Sequence, residues 1–168
     1  LAPAQYRLGT LFERGRGMPK DMTSARLLYE RAAERNNVKS MHNLAVIYSN
    51  NENKNAQFGK AAQWFHAAAQ HGLRDSAYNL AVLHERGLGL PKDLIKAYFW
   101  FGVAARLQDA DAATKVATMR KQLSPAALTK VDNDIKAWRP KKPDNAGNLV
   151  SITDPTWNVG PPKAAGQP

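Results

Sequence analysis

Apolar residues recur along this chain with a spacing of 36 residues. One position of the repeat is leucine in three units: Leu8, Leu44 and Leu80. Another position is aromatic in the same units: Tyr29, Phe65 and Phe101. Within a unit the apolar residues return every three or four positions, which indicates two amphipathic helices, named here the A-helix and the B-helix. A repeat of this length is typical of stacked helix hairpins, which bury their apolar faces against neighbouring hairpins.

The loops between the A-helices and B-helices carry turn signals. Residues 13–21 and 85–93 share the pattern Glu-Arg-Gly-x-Gly-x-Pro-Lys-Asp. Its glycines are expected to end the A-helix, and its proline and aspartate to begin the B-helix. The second unit has asparagine-rich residues 50–55 in this place, and we expect this to be the most mobile internal loop.

Two more helices are predicted beyond the third unit. Residues 112–123 continue the register of the A-helices as a fourth member. Ser124 and Pro125 then combine a capping residue with a first-turn proline, which indicates a new helix. Its apolar stripe is Leu128, Val131, Ile135 and Trp138. We expect this helix to cap the open end of the stack and to end before Pro140.

The composition changes at residue 140, because six of the ten prolines lie in residues 140–168. We therefore predict two regions. Residues 1–139 form a repeat solenoid with three repeats, a fourth A-helix and a capping helix, and residues 140–168 form a proline-rich, extended linker or tail. Trp157 is expected to anchor this tail on a protein surface, together with the apolar residues near position 150.

Composition and charge narrow the function classes. The 168 residues are 43% hydrophobic, which allows a buried core, yet no apolar run approaches the roughly 18–20 residues of a membrane span. Cysteine is absent, which excludes disulfides, thiolate metal sites and cysteine nucleophiles. The net charge of +10 favours anionic partners. Because the chain begins at Leu1, we expect a fragment or a processed product.

Side chains that could support catalysis are few and poorly arranged. His84 and Glu85 open a zinc-binding His-Glu-x-x-His pattern, but Leu88 takes the place of the second histidine. His66 and His71 are five positions apart and diverge on a helix. The Gly-x-Gly loops lack the preceding strand and third glycine of a phosphate-binding loop, so they are interpreted as turns. We predict no enzymatic activity, no metal site and no cofactor.

The repeat motif resembles Sel1-like repeats, which are relatives of the tetratricopeptide repeats. The motif reads Ala-x-x-x-Leu-Gly-x-x-Phe-x-x-Gly-x-Gly, then Asp-x-x-x-Ala-x-x-x-Tyr-x-x-Ala-Ala, and the likeness covers about residues 4–123. It implies an all-α fold, a right-handed α/α solenoid of helix hairpins with a C-terminal capping helix.

A narrower likeness concerns residues 41–46, 75–80, 87–89 and 93–101. These stretches are similar to the C-terminal region of PodJ-type bacterial polarity scaffolds, which carry periplasmic Sel1-like repeats, a cytoplasmic coiled coil and one membrane span. This sequence contains neither the coiled coil nor the span. The likeness implies a periplasmic domain of a membrane-anchored protein, with a cytoplasmic location as the alternative.

The resemblance also implies a concave groove lined by the A-helices. The residues expected to face it lie around the repeat leucine: Tyr6, Arg7, Thr10, His42, Asn43, Val46, Tyr78, Asn79 and Val82. An asparagine amide both donates and accepts hydrogen bonds, so Asn43 and Asn79 could pair with the backbone of an extended peptide. Alternatively, these two asparagines bond a neighbouring helix.

Together these observations predict a non-catalytic protein–protein interaction scaffold, part of a bacterial cell-polarity or polar-localisation factor. A protein or peptide partner would lie in the groove. The alternative is a binder of an anionic polymer, either cell wall or nucleic acid, through the basic convex surface of the solenoid. The first repeat is the most basic one, with Arg7, Arg14, Arg16, Lys20, Arg26, Arg31 and Arg35. No nucleic-acid-binding motif accompanies it. No residues support a third role, as an adaptor for a hydrolase.

Overall fold

The chain forms a stack of antiparallel helix hairpins. The computed structural model describes residues 1–50, 56–142 and 145–148, and these ranges contain helices and turns but no strand. The helices are α1 (Ala2–Arg14), α2 (Met22–Ala33), α3 (Val38–Ser49), α4 (Phe58–Gln70), α5 (Arg74–Arg86), α6 (Leu94–Arg106), α7 (Ala110–Met119), α8 (Pro125–Ala137) and α9 (Asn145–Asn148). The predicted all-α solenoid is confirmed, with α1, α3, α5 and α7 as A-helices and α2, α4 and α6 as B-helices.

The A-to-B loops end and begin helices as their residues predict. Gly15 and Gly87 adopt left-handed backbone with φ of 63° and 68°, which ends α1 and α5. Asp21 and Asp93 cap the following B-helices, since their carboxylates accept from backbone amides of the first turn. The loop expected to be most mobile has residues 51–55 outside the described ranges.

The core lies between the two layers of helices. Leu44 and Leu80 are fully buried, and so are the aromatic side chains at the repeat position of the B-helices: Tyr29, Phe65 and Phe101. Leu8, at the same repeat position as Leu44 and Leu80, is 38% exposed, because no described hairpin packs on that side of α1. Each hairpin thus supplies one face to the next, as a solenoid requires.

The B-to-A turns repeat one backbone geometry. The residue with positive φ in each turn is Asn36, Gly72 or Gln108, spaced by 36 positions. The next residue is the N-cap of the following A-helix and donates its amide to a carbonyl of the B-helix: Asn37 to Ala32, Leu73 to Ala68, and Asp109 to Ala104. These three turns therefore form one regular edge, the turn edge.

The capping helix α8 packs against α6, as its apolar stripe predicts. Gly102 allows the close approach, since a Cβ atom there would lie 2.4 Å from Ile135 Cδ1. The Tyr98 hydroxyl donates to Asp132 Oδ1 at 2.8 Å, and Arg120 donates to the same carboxylate at 2.9 Å. The predicted fourth A-helix is shorter than expected. It ends at Met119 and continues as a 3-10 turn, Arg120–Gln122, which brings Arg120 to Asp132.

The chain after α8 follows the turn edge back towards the first repeat. Arg106 of the third turn donates to the carbonyl oxygens of Ile135 and Trp138. Beyond that point, the Lys141 amide donates to the Gln70 carbonyl oxygen of the second turn at 2.8 Å. We call the described part of residues 139–148 the C-terminal strap.

The end of the strap reaches the first turn. Asn37 Nδ2 donates to the Gly147 carbonyl oxygen at 2.6 Å, and the Val38 amide donates to Asn148 Oδ1 at 2.9 Å. Residues 145–148 form one helical turn rather than the extended backbone expected there, because this stretch contains no proline and packs against α1 and the first turn. The predicted anchor Trp157 lies outside the described residues.

Candidate partner-binding surface

Three of the predicted groove residues on the A-helices pack on B-helix aromatics. The ring pairs are Tyr6–Tyr29 at 6.0 Å, His42–Phe65 at 5.7 Å and Tyr78–Phe101 at 5.2 Å between centroids. All three pairs occupy the same repeat positions. Tyr6, His42 and Tyr78 are therefore half-buried packing residues whose outer edges remain accessible.

His42 is held in place by a second contact. Its Nδ1 atom lies 2.8 Å from Ser76 Oγ on the next A-helix. Burial lowers the pKa of His42, and the nearby Asp75 carboxylate partly opposes this shift. The imidazole is accordingly neutral at neutral pH, and it links α3 to α5.

The interface between the first two repeats is closed by polar contacts. The Tyr29 hydroxyl donates to Glu13 Oε2 at 2.6 Å. The Asn43 side chain interacts with the same hydroxyl, which lowers the pKa of Tyr29 and partly offsets the increase due to burial. At Asn43, the structure therefore favours the alternative of a bond to a neighbouring helix.

The third interface is closed by an ion pair at the same repeat positions. Lys115 Nζ lies 3.1 Å from Glu85 Oε1 and 3.0 Å from Oε2. It also lies 5.6 Å from the centroid of the Phe101 ring. Glu85 and Lys115 are the counterparts of Glu13 and Asn43 two repeats earlier.

The second interface lacks these contacts and contains a cavity of about 390 Å³ instead. Here Ser49 replaces the glutamate and Phe65 replaces the tyrosine. Among the described residues, no side chain hydrogen-bonds to Asn79, although it lines the cavity. The complete lining is Val46, Ser49, Phe58, Phe65, Asn79, Val82, Leu83, Arg86 and Leu88. The two asparagines that share a repeat position thus have different environments.

The remaining predicted residues flank this cavity or lie at the open end of the stack. Val46 is 42% exposed, and Val82 lies beside it in the cavity wall. Thr10 donates its hydroxyl to the Arg7 carbonyl oxygen at 2.7 Å, and Arg7 is exposed. A second depression of about 370 Å³ lies between α5 and α7. It is lined by Tyr78, Asp111, Thr114, Lys115 and Thr118.

The groove prediction missed six residues that line the cavity: Ser49, Phe58, Phe65, Leu83, Arg86 and Leu88. Phe58 and Phe65 lie on the B-helix α4, Ser49 and Arg86 end their A-helices, and Leu88 lies in the loop after α5. Leu83 is on α5, three positions after the repeat leucine, so none of the six is adjacent to that leucine in sequence. The signal that could have identified the cavity is the serine at position 49, where the other units have Glu13 and Glu85.

The histidines form no metal centre in the part of the chain that the structure describes. No group of three or more potential metal ligands occurs there. His84 Nδ1 is buried without a hydrogen-bond partner, and His66 packs edge-on against Trp100. Burial lowers the pKa of both His66 and His84. Within the same ranges, no helix combines the length and apolar character of a membrane span.

Three consecutive stretches, residues 2–37, 38–73 and 74–109, match the Sel1 repeat. No curated protein matches the chain. A solved Sel1 repeat protein from Oxalobacter formigenes is 26% identical over 68% of this chain, with a TM-score of 0.65. The protective antigen c5321 of uropathogenic Escherichia coli, which has an SLR fold, is 20% identical over 82% of this chain, with a TM-score of 0.50. The latter shows the fold alone.

The chain spans 47% and 37% of the lengths of these two solved chains. Each matched stretch coincides with one A-helix, one B-helix and the turn that follows. Because the matches run without a gap over more than half of its residues, the chain belongs to the Sel1 repeat family.

Proposed function

We propose that this chain binds a partner protein through the side of the solenoid formed by its A-helices, centred on the cavity between α3 and α5. Sel1 repeat proteins generally mediate protein–protein interactions. The observation that carries the proposal is the cavity itself, which brings the predicted groove residues Val46, Asn79 and Val82 together. The role is non-catalytic, that of a scaffold.

The chemistry of the cavity suits a peptide segment. Six of its lining residues are apolar and could receive an apolar side chain of the partner. Asn79 offers one donor and one acceptor, which match the hydrogen-bonding groups of a peptide backbone. Val46 extends the apolar surface outwards, since it is exposed at the cavity rim.

Site-specific crosslinking tests this proposal. The variant Val46→p-benzoylphenylalanine places a photoreactive group at the cavity rim, and Ile95→p-benzoylphenylalanine is the matched control. Ile95 is a similarly exposed apolar residue, 48% accessible, on the B-helix α6. We expect the partner in native cell extract to crosslink from position 46 and not from position 95. Equal yields from both positions would contradict the proposed surface.

The alternative partner, an anionic polymer such as cell wall or nucleic acid, is supported by the basic first repeat. Arg7, Arg14, Arg16, Lys20 and Arg31 are exposed and form no ion pair with any described carboxylate. Binding to a polymer should weaken steeply as salt rises from about 50 to 200 mM, because counterions are released. Binding through the cavity should change much less over this range, which distinguishes the two functions.

We further propose that the scaffold acts in bacterial cell polarity, as a periplasmic domain of a membrane-anchored protein. The support is the sequence likeness described above, in residues 41–46, 75–80, 87–89 and 93–101. A fluorescent fusion of the full gene product should form a focus at one cell pole, and protease added to spheroplasts should digest the repeat domain. A diffuse signal or full protection would overturn this part of the proposal.

A further inference from the structure

The three interfaces between neighbouring A-helices are built on the same three repeat positions, represented in the first interface by Glu13, Tyr29 and Asn43. The second of these interfaces differs from the other two. In the first interface, Glu13 accepts a hydrogen bond from Tyr29 at 2.6 Å. In the third, Glu85 accepts from Lys115 at 3.0 and 3.1 Å. A carboxylate at the end of the A-helix therefore binds a donor from the adjoining helices in both.

In the described part of the chain, the second interface has donors but no carboxylate. Ser49 stands in the glutamate position, and its hydroxyl donates back to the Val46 carbonyl oxygen at 2.9 Å. Asn79 and Arg86 both line the cavity, and no described carboxylate pairs with either of them. Among the described residues, the cavity lining contains no acidic side chain. This interface thus combines one cation, one free amide and apolar walls.

We propose that the partner supplies a carboxylate to this cavity: an aspartate or glutamate side chain, flanked by apolar residues, binds there. Its carboxylate accepts from Asn79 and Arg86, as Glu13 and Glu85 accept from their own donors. The flanking apolar side chains contact Phe58, Val82 and Leu88. This inference rests on the proposed function and names the chemistry of the segment that the partner would contribute.

The charge of the site supports this choice over a neutral or basic segment. Arg86 is exposed and carries a guanidinium cation. A hydrogen bond to a charged group contributes more than a neutral one, and its strength increases in a partly desolvated cavity. A basic residue of the partner would instead meet Arg86 with no anion to offset the repulsion.

Two blocked tripeptides test the proposal directly. The probes are acetyl-Leu-Glu-Leu-amide and acetyl-Leu-Gln-Leu-amide, titrated into the full chain while the Asn79 side-chain amide is followed by NMR. We expect the glutamate peptide to bind about tenfold more tightly, from the charge-assisted hydrogen bonds. Arg86→Gln should abolish that preference. Arg14→Gln is the matched control, because Arg14 occupies the same repeat position outside the cavity and should leave the preference unchanged.

A second variant adds a carboxylate of the chain itself to the cavity. Ser49→Glu restores the residue type found at positions 13 and 85 and should reduce binding of the glutamate peptide about tenfold, whereas Ser49→Gln should reduce it less. Equal binding of the two peptides, or a preference that survives Arg86→Gln, would overturn the proposal. Tighter binding of acetyl-Leu-Gln-Leu with a free C-terminal carboxylate would also overturn it, because the carboxylate would then come from a chain end.

These outcomes separate the inference from the function on which it rests. If crosslinking from position 46 captures the partner but the peptides bind equally, the surface is correct and the acidic segment is wrong. If the peptides are discriminated but position 46 captures no partner, the cavity binds carboxylates and the proposed scaffold surface is wrong.

Discussion

Single residues decide how closely each pair of repeats is joined. Tyr29 and Phe65 occupy the same position and differ by one hydroxyl group, yet that hydroxyl links Glu13 and Asn43 across the first interface. Without it, Asn79 remains available at the second interface. A solenoid can therefore keep its backbone repeat and still create one distinct site by changing two side chains.

The repeat leucines are expected to dominate stability at the residue scale. Leu80→Ala should lower the free energy of unfolding by about 2–5 kcal/mol, because the buried side chain is lost and a cavity remains. Leu8→Ala is the matched control and should cost less, since Leu8 is partly exposed at the end of the stack. Urea unfolding followed by circular dichroism measures both, and equal losses would contradict the burial described here.

Stability should also depend on the protonation of His42. Burial lowers its pKa in the folded chain below the ordinary 6.5, so protonation favours the unfolded chain. The stabilising contribution is complete above about pH 6.5 and is lost as the pH falls through the folded pKa. His42→Gln should therefore flatten the fall in melting temperature between about pH 7 and pH 5. An unchanged pH profile would show that His66 and His84 dominate instead.

At the scale of helices, close approach fixes the position of the cap. Gly102→Ala would bring a Cβ atom to 2.4 Å from Ile135 Cδ1, so the Ile135 side chain must change its position or α8 must shift away from α6. We expect a loss of roughly 1–3 kcal/mol, as is typical of overpacking. Gly59→Ala is the control, because its Cβ atom would meet nothing nearer than 3.5 Å. Thermal melts of the two variants should differ, and equal melting temperatures would contradict this packing.

The sequence predicted the helices well, because each is set by local signals. Apolar spacing, the glycines after the A-helices and the capping aspartates act within one or two turns of the residues they order. The groove prediction named residues next to the repeat leucine. It gave Asn43 and Asn79 the same role, because they occupy the same repeat position. Their environments differ because Asn43 lies near the hydroxyl of Tyr29, whereas Asn79 lines a cavity with Phe65, which has no hydroxyl. Tyr29 and Phe65 are on the B-helices, so the positions around the repeat leucine do not reveal this difference.

The C-terminal strap was not predictable for a different reason. Asn37 and Gly147 are 110 residues apart in sequence, and their contact depends on backbone groups that only the stacked turns expose. The spacing of apolar residues carries no information about such a contact. The proline content predicted a tail but not its path along the turn edge.

At the scale of the molecule, the strap should stabilise the whole stack. Truncation after Arg139 removes the contacts of Lys141 with the second turn and of Gly147 and Asn148 with the first. We expect a loss of roughly 1–3 kcal/mol, since each net hydrogen bond contributes about 0.5–1.5 kcal/mol. Amide hydrogen exchange at Val38 should also accelerate, because the Val38 N–H group loses its acceptor, Asn148 Oδ1.

A point substitution separates the strap from the rest of the tail. In Gly147→Ala, the added Cβ atom would lie 2.2 Å from the Arg35 carbonyl oxygen, so the helical turn α9 cannot keep its position. The variant should reproduce the faster exchange at Val38 in a chain of full length. Normal protection at Val38 in both the variant and the truncation would show that the strap does not hold the first turn.

The return of the strap to α1 also determines how the solenoid responds to tension. In an open stack, a pull on the two ends loads the hairpins in series, and they peel apart one after another. Here the chain at Asn148 lies beside the first turn, so a pull between α1 and residue 148 bypasses the hairpins and loads a few hydrogen bonds at one end. Those bonds would break first at low force, and the hairpins would bear load only afterwards. We therefore expect the strap to detach before any repeat unfolds when the domain is stretched between α1 and residue 148.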